Sequence, residues 1–311
     1  DLSHNNDAPT DHSRRGMTLS GFTFIRNGRS LGYPFEESLA SLLRVCDNVT
    51  IAVGHSDDDT RAYVASLGDP RLRIIDTVWD DSLREGGRIL AQQTDVALGA
   101  CDGDWCLYLQ GDEVLHEADD ELIRAEIARA DADPSVEALL FRWIHLFGSY
   151  GHQGRGRQWY RREIRVVRNT GRVISWGDAQ GFRTRNDDGS VRKLRARQTE
   201  CRIFHYGWVR HPRHQAAKAQ AMNRLYHDDT WMTQNVPDAD EFHATCFDIA
   251  PYTGSHPACM HDRIRRDEVW TSRFDPVRAI TPKPFRVALS DAIEKLSGWR
   301  MFEYRNFDEV P

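Results

Sequence analysis

Trp105-Cys106-Leu107-Tyr108-Leu109-Gln110-Gly111-Asp112-Glu113 is the stretch on which the fold turns. An apolar run passes directly into a glycine and two adjacent carboxylates. A run that is apolar at successive positions, rather than alternate ones, reads as a central strand of an α/β sheet buried on both faces. In such sheets ligands settle just beyond the carboxyl ends of the strands, where Asp112 and Glu113 fall. A carboxylate in that position suits a hard divalent cation, which in turn suits phosphate oxygens. The plainer alternative is that Asp112 caps a helix starting near Ala118.

Upstream, Gly21 to Ile25 reads as a strand that runs into Arg26-Asn27-Gly28. Residues 34–46 carry Leu39, Leu42, Leu43 and Cys46 at helical spacing, with Pro34 near the start, where proline is tolerated. Strands at 49–53 and 72–75 and helices at 60–67 and 85–99 complete an alternation of strand and helix. That alternation predicts a parallel, doubly wound sheet over residues 19–117. Downstream the pattern changes to a helix at 118–132, strands at 136–147, 161–168, 172–176 and 201–206, and a helix at 212–227. The Gly- and Arg-rich run 151–162 predicts a mobile loop. No Pro/Gly/Ser linker divides the chain, so 118–268 reads as a mixed α+β half of the same domain, followed by a C-terminal tail at 269–311. Residues 1–18, nearly devoid of apolar side chains, predict a disordered extension.

With 311 residues, 40% hydrophobic and 28% charged, the composition is that of a soluble globular protein. A net charge of -6 argues against a general nucleic-acid binder. No apolar run approaches the roughly 18 residues that a membrane-spanning helix needs. The six cysteines form no Cys-x-x-Cys pair and several lie in apolar runs, which predicts buried, reduced thiols in a cytoplasmic protein.

Several side chains gather, by topology, at the edge marked by Asp112. The Ser56-Asp57-Asp58-Asp59-Thr60 loop ends the second strand. Asp57 and Asp58 can accept hydrogen bonds from a base or ribose there, while Asp59 or Thr60 caps the next helix. Arg26 and Asn27 leave the first strand at the same edge. Arg88 offers paired donors to a pyrophosphate, or else bridges to Glu85. His205, in Phe204-His205-Tyr206-Gly207-Trp208, reads as a second ligand to a metal on Asp112 or as a hydrogen-bonded core histidine. Asp178, in Trp176-Gly177-Asp178-Ala179-Gln180-Gly181, suits a general base beside the sugar-stacking ring of Trp176, and equally a polar turn. Ser255-His256-Pro257 marks His256 as a candidate residue on the acceptor side.

These stretches resemble the glycosyltransferases of the GT-A fold, the family-two group in particular. The resemblance rests on Phe24-Ile25-Arg26-Asn27, Gly54-His55-Ser56-Asp57-Asp58 and Leu107-Tyr108-Leu109-Gln110-Gly111-Asp112-Glu113. It covers residues 19–117 well and 118–230 loosely, and implies a Rossmann-like, mostly parallel central sheet with helices on both faces. In that family the last motif usually reads Asp-x-Asp, and its final carboxylate binds the metal that bridges the donor diphosphate. Gln110 replaces the first aspartate here, so Asp112 is the carboxylate that carries over, with Gln110 and Gly111 beside the donor. His205 resembles the histidine that completes the metal site in some members, and Asp178 the acceptor-side base. The implied activity moves a sugar from a UDP-, GDP- or dTDP-sugar to a hydroxyl of a small-molecule or saccharide acceptor. It would use Mn²⁺ or Mg²⁺ and invert the sugar carbon. Two other classes fit the same edge: a sugar-1-phosphate nucleotidyltransferase, and a non-catalytic module that binds nucleotide or glycan.

Overall fold

The structure is a computed structural model that describes residues 16–80, 82–83, 85–236, 242–300 and 303–311. Most of the extension expected over 1–18 therefore lies outside the described residues. The first half alternates β1 (Leu19–Ile25), α1 (Phe35–Val45), β2 (Asn48–Gly54), α2 (Thr60–Ser66), β3 (Leu72–Thr77), α3 (Arg88–Leu98) and β4 (Trp105–Tyr108). These four strands are parallel in the order β3-β2-β1-β4, and Phe22 pairs with Tyr108.

The β4 run is apolar throughout because both of its faces are covered. Trp105, Leu107 and Leu109 point into one core with Leu39 and Leu42 of α1. Cys106 and Tyr108 point into the other, with Ile89 and Leu98 of α3. Helix α3 starts three residues later than its pattern suggests. Gly86 and Gly87 adopt left-handed φ values of 62° and 67°, which an α-helix cannot continue through.

Beyond β4 come β5 (Glu113–Val114), α4 (Asp120–Asp131), β6 (Ala138–Phe147), β7 (Ser149–Gly154), β8 (Arg162–Arg168), β9 (Val173–Trp176), β10 (Gly181–Arg185), β11 (Val191–Lys193) and β12 (Arg195–Trp208). Then follow α5 (Pro212–Asn223), α6 (Asp229–Asn235), β13 (Ile249–Pro251), α7 (His261–Thr271) and β14 (Asp308–Val310), with two further helices between the last two. The main sheet continues past β4 through antiparallel β8, β6, β7 and β13. Strand β12 is parallel to β6 and antiparallel to the short β5, where His205 stands opposite Glu113. That register brings the end of β12 against the acidic turn. Strands β9, β10 and β11 form a separate small sheet.

Two expectations need correction. The run 151–162 is not a free loop: β7 occupies its start and pairs with β13, and Trp159 is buried against Gly154, where any Cβ would lie 2.3 Å from the indole. Trp159 is the apolar anchor that the arginines and glycines around it obscure. Nor does 269–311 hang as a tail, since α7 crosses the boundary and β14 joins the main sheet beside β12. All six cysteines are free; Cys46, Cys106, Cys201 and Cys246 are buried as expected, and Cys101 and Cys259 are half-buried.

Glu163 of β8 is buried, accepts from the Gln180 amide at 3.1 Å, and has its pKa raised to about 7, burial outweighing the nearby Arg165. The folded chain thus holds a proton that the unfolded chain releases near its ordinary value of 4.5. The stability contributed by this one group is full below about 4.5 and is lost as pH rises through about 7. The loss is about 3 kcal/mol, from 2.5 pH units at 1.36 kcal/mol each. Glu163→Gln should remove this slope. Urea unfolding at pH 5 and pH 8 is expected to show the variant gaining on the parent by about that amount at the higher pH. An equal difference at both values would contradict the assignment.

Candidate active site

The carboxyl ends of β1, β2 and β4 open into a cleft of about 820 Å³. At one end stand the two loops that leave β1 and β2, bound to each other. The Asn27 backbone N–H donates to Ser56 Oγ at 3.0 Å, and the Asp57 N–H donates to Asn27 Oδ1 at 2.8 Å. Asn27 holds a left-handed φ of 53°, a conformation that asparagine tolerates better than most residues and that tends to gather at binding sites. Arg26 lies over the Trp79 ring at 5.3 Å, and both line the cleft with Asn27 and Asp57.

Asp58, expected beside Asp57, turns away. Its carboxylate accepts from the Ser30 N–H at 2.8 Å and from the Thr60 N–H at 2.9 Å, so it fastens the loop to the start of α2. Arg88 is exposed at the first position of α3 and does not line the cleft.

The acidic turn occupies the middle of the cleft. Its two carboxylates face opposite ways. Glu113 is fully buried and receives two hydrogen bonds from Arg165, at 2.7 and 2.9 Å, while its Oε2 also accepts from the Gln110 N–H at 3.1 Å. This staple shapes the turn that presents Asp112, and leaves Gln110 free to reach the Ala179 carbonyl at 3.3 Å across the cleft. Gly111 is required for close approach, since a Cβ there would lie 2.9 Å from Ile25 Cδ1. The residue that caps the following helical turn is His116, whose Nδ1 accepts from the Ala118 N–H at 3.1 Å, so Asp112 is not the cap.

Asp112 is 5% exposed. Its Oδ2 accepts from Lys218 Nζ at 2.9 Å, and Arg210 approaches the same oxygen at 3.9 Å. Burial alone would raise the Asp112 carboxyl, but Lys218 and its neighbours hold it well below the usual carboxylate range. Lys218 in turn is lowered to about 8 by burial and by Arg210.

His205 Nε2 faces the other oxygen, Oδ1, at 3.9 Å. The protons of this histidine follow from its surroundings. Burial lowers the pKa of both His145 and His205, so both rings are neutral at pH 7. His145 Nε2 lies 2.8 Å from the Tyr160 carbonyl, which can only accept, so Nε2 carries the His145 proton. His145 Nδ1 must then accept from His205 Nδ1, 3.0 Å away. His205 Nε2 is left with a bare lone pair aimed at a carboxylate oxygen.

Two acceptors that face each other suit a cation between them. Gly207 keeps the space open, for a Cβ there would lie 2.5 Å from His205 Nε2 and 2.8 Å from Asp112 Oδ2. A ligating histidine that donates its other N–H to a neighbour is the usual second-layer arrangement around a metal. The donor set therefore fits a divalent ion through Asp112 and His205. No group of three or more His, Cys, Asp or Glu that could hold a metal occurs among the described residues.

Across the cleft, Asp178 sits in the turn between β9 and β10, with Ala179 at φ 66°. The Tyr226 hydroxyl donates to its Oδ2 at 2.8 Å. Trp176 is not beside it in the cleft. Strand β9 turns Ser175 inward and Trp176 outward, where the indole packs on Arg183 at 5.0 Å. His256 also lies elsewhere, among Tyr150, Tyr206 and Tyr252. It accepts from the Tyr206 hydroxyl at 2.9 Å and donates to the Tyr150 carbonyl at 3.0 Å, so both ring nitrogens are engaged in packing.

The fold thus brings Arg26, Asn27, Asp57, Gln110, Gly111, Asp112, Asp178 and His205 together, and leaves out Asp58, Arg88, Trp176 and His256. Sequence reasoning missed Lys218, Arg210, His145 and Tyr33. Lys218 had one weak signal: it is one of only four lysines in the chain, and it lies in an alanine-rich helix.

No family model matches this chain, and no curated protein does. Solved structures do. TarS of S. aureus is 13% identical over 72% of this chain and 41% of that one, with a TM-score of 0.39. Its 1–349 portion in complex with UDP-GlcNAc is 21% identical over 45% and 37%, with a TM-score of 0.33. The mannosyltransferase PcManGT of Pyrobaculum calidifontis, in complex with GDP-Man and Mn²⁺, is 21% identical over 45% and 38%, with a TM-score of 0.30. This chain spans about two fifths of the length of each. No helix among the described residues is long and apolar enough to cross a membrane.

Proposed function

We propose that this chain transfers a glycosyl group from a nucleoside-diphosphate sugar to an acceptor hydroxyl. The observation that carries the reading is the centre of the cleft, where one buried carboxylate, a lone-pair histidine, the buried Arg210 and the half-buried Lys218 meet beyond the end of β4. Such a centre is built for a charged group that needs both donors and counter-charge, which a diphosphate does. The tied loops with Asn27 and Asp57 form the end suited to a nucleoside, through hydrogen bonds from its base or ribose. On this reading residues 19–117 are the donor half and 118–268 the acceptor half.

Asp112 and His205 are the residues that would hold Mn²⁺ or Mg²⁺. When bound, the ion supplies counter-charge to the departing diphosphate. Lys218 places a further positive charge at the same point, where charge grows as the anomeric bond breaks. Asp178 has its Oδ2 held by Tyr226, which orients the carboxylate so that Oδ1 can take the proton of an attacking hydroxyl. Attack from that side, opposite the leaving group, inverts the sugar carbon. The aromatic wall of Trp143, Trp159 and Tyr160 gives a sugar ring apolar faces to lie against.

The test is a panel of UDP-, GDP-, dTDP- and CMP-sugars followed by thermal unfolding, with and without Mn²⁺, and then by assay of the released nucleotide. A donor at 100 times its Kd should add about 2.7 kcal/mol to stability. Release of a nucleoside diphosphate on adding acceptor is the expected result. Pyrophosphate-dependent turnover would replace this reading with nucleotidyl transfer, and binding without any turnover would leave a recognition module.

A further inference from the structure

Arg210 follows the last residues of β12 and is only 6% exposed. Among the described residues none of its three guanidinium nitrogens has a hydrogen-bond partner. Its contacts are the Tyr33 ring, 4.3 Å from its central carbon, and Asp112 Oδ2 at 3.9 Å. That oxygen is already taken by Lys218 Nζ at 2.9 Å, and Lys218 also stands over Tyr33 at 5.1 Å. One carboxylate thus faces two cations, one buried and one half-buried.

Buried charges are ordinarily paired and hydrogen-bonded, and a guanidinium whose only neighbours are the Tyr33 side chain and one carboxylate oxygen at 3.9 Å is under-satisfied, which needs a cause. A missing anion supplies one. Tyr33, Asp112 and Lys218 all line the cleft. An anion entering there meets the ammonium directly, whereas Arg210 is not on the cleft wall and lies against Tyr33 and Asp112, which are. Guanidinium presents paired N–H groups that match phosphate oxygens, whereas ammonium acts as a compact charge, and the two together suit adjoining phosphates.

We infer that Lys218 and Arg210 form a diphosphate-binding pair, able to hold the donor's diphosphate without help from a divalent ion. This rests on the glycosyl-transfer reading and adds to it: protein cations, and not the metal site alone, supply counter-charge to the leaving group.

Calorimetric titration of the full chain in EDTA tests it, with inorganic pyrophosphate and with UDP, GDP and dTDP as probes, each repeated in Mn²⁺. The expected result is that pyrophosphate and one nucleoside diphosphate bind in EDTA. Lys218→Met should weaken both at least tenfold while leaving affinity for the bare nucleoside unchanged. Arg210→Lys keeps the charge and the fold but loses the paired donors, and should weaken diphosphate binding by a smaller factor. A stable Lys218→Met protein with undiminished affinity, or binding that needs Mn²⁺, overturns the inference and leaves the transferase reading standing. Failure of every nucleoside diphosphate to bind in either buffer removes both.

Discussion

Asp178→Asn is expected to slow glycosyl transfer by about 10²- to 10⁴-fold, the usual worth of a general base. That corresponds to about 3–5 kcal/mol on the barrier. The amide is nearly the same shape and still accepts from the Tyr226 hydroxyl, so the turn between β9 and β10 should keep its form. What disappears is the carboxylate oxygen that would take a proton on the proposed reading. Affinity for the nucleoside diphosphate should stay within twofold of the parent, because a base acts on the acceptor hydroxyl and not on the diphosphate. The measurement is single-turnover transfer at saturating donor, with nucleotide affinity measured separately. Tyr226→Phe is the companion variant: it removes only the orienting hydroxyl and should cost much less. Equal transfer rates for Asp178→Asn and the parent would strip Asp178 of the role.

Arg165→Met should cost about 3–5 kcal/mol of folding stability, a large share of the roughly 5–15 kcal/mol that holds a domain together. The pair it breaks is fully buried, with two hydrogen bonds from one guanidinium to one carboxylate. Removing the guanidinium strands the Glu113 charge in the core beneath the turn that it staples. Glu113→Leu combined with Arg165→Met leaves no stranded charge and should recover most of the loss. Urea unfolding of the single and double variants measures both. A single-variant loss below about 1 kcal/mol would mean that water or a second cation already reaches Glu113. Since Glu113 also fixes the Gln110 backbone, the single variant should bind nucleotide more weakly even where it remains folded.

The parallel half of the fold was legible in the sequence because each part of it leaves a local mark. A strand covered on both faces must be apolar at every position, and β4 is. Helix α1 shows its buried face as Leu39 and Leu42, and Asp112 falls where a strand of this kind ends. The antiparallel half was legible only as separate strands. Which of them lie side by side depends on pairings such as His205 with Glu113, across 92 residues, and no local pattern encodes that.

Residue by residue, the same logic sorts the candidate site. Asp57 and Asp58 are neighbours of one chemical type, and only the path of the loop decides that one lines the cleft while the other ties down Ser30. Trp176 misled because a tryptophan near a glycine-flanked aspartate looks like a stacking ring. A strand sends alternate side chains to opposite faces, and β9 spends its inward position on Ser175. Lys218 and Arg210 went unseen because a lone charged residue reads as surface. That both face Asp112 is a property of the contact between α5, the end of β12 and the acidic turn.

The wall of the cleft carries a property of a different kind. Of the nine tryptophans in the chain, Trp79, Trp143, Trp159 and Trp208 line that one cavity. Indole emission responds to polarity and to nearby charge, and four of the nine indoles stand where a ligand would arrive. The chain therefore carries its own optical reporter of occupancy, with no dye, tag or labelled substrate attached.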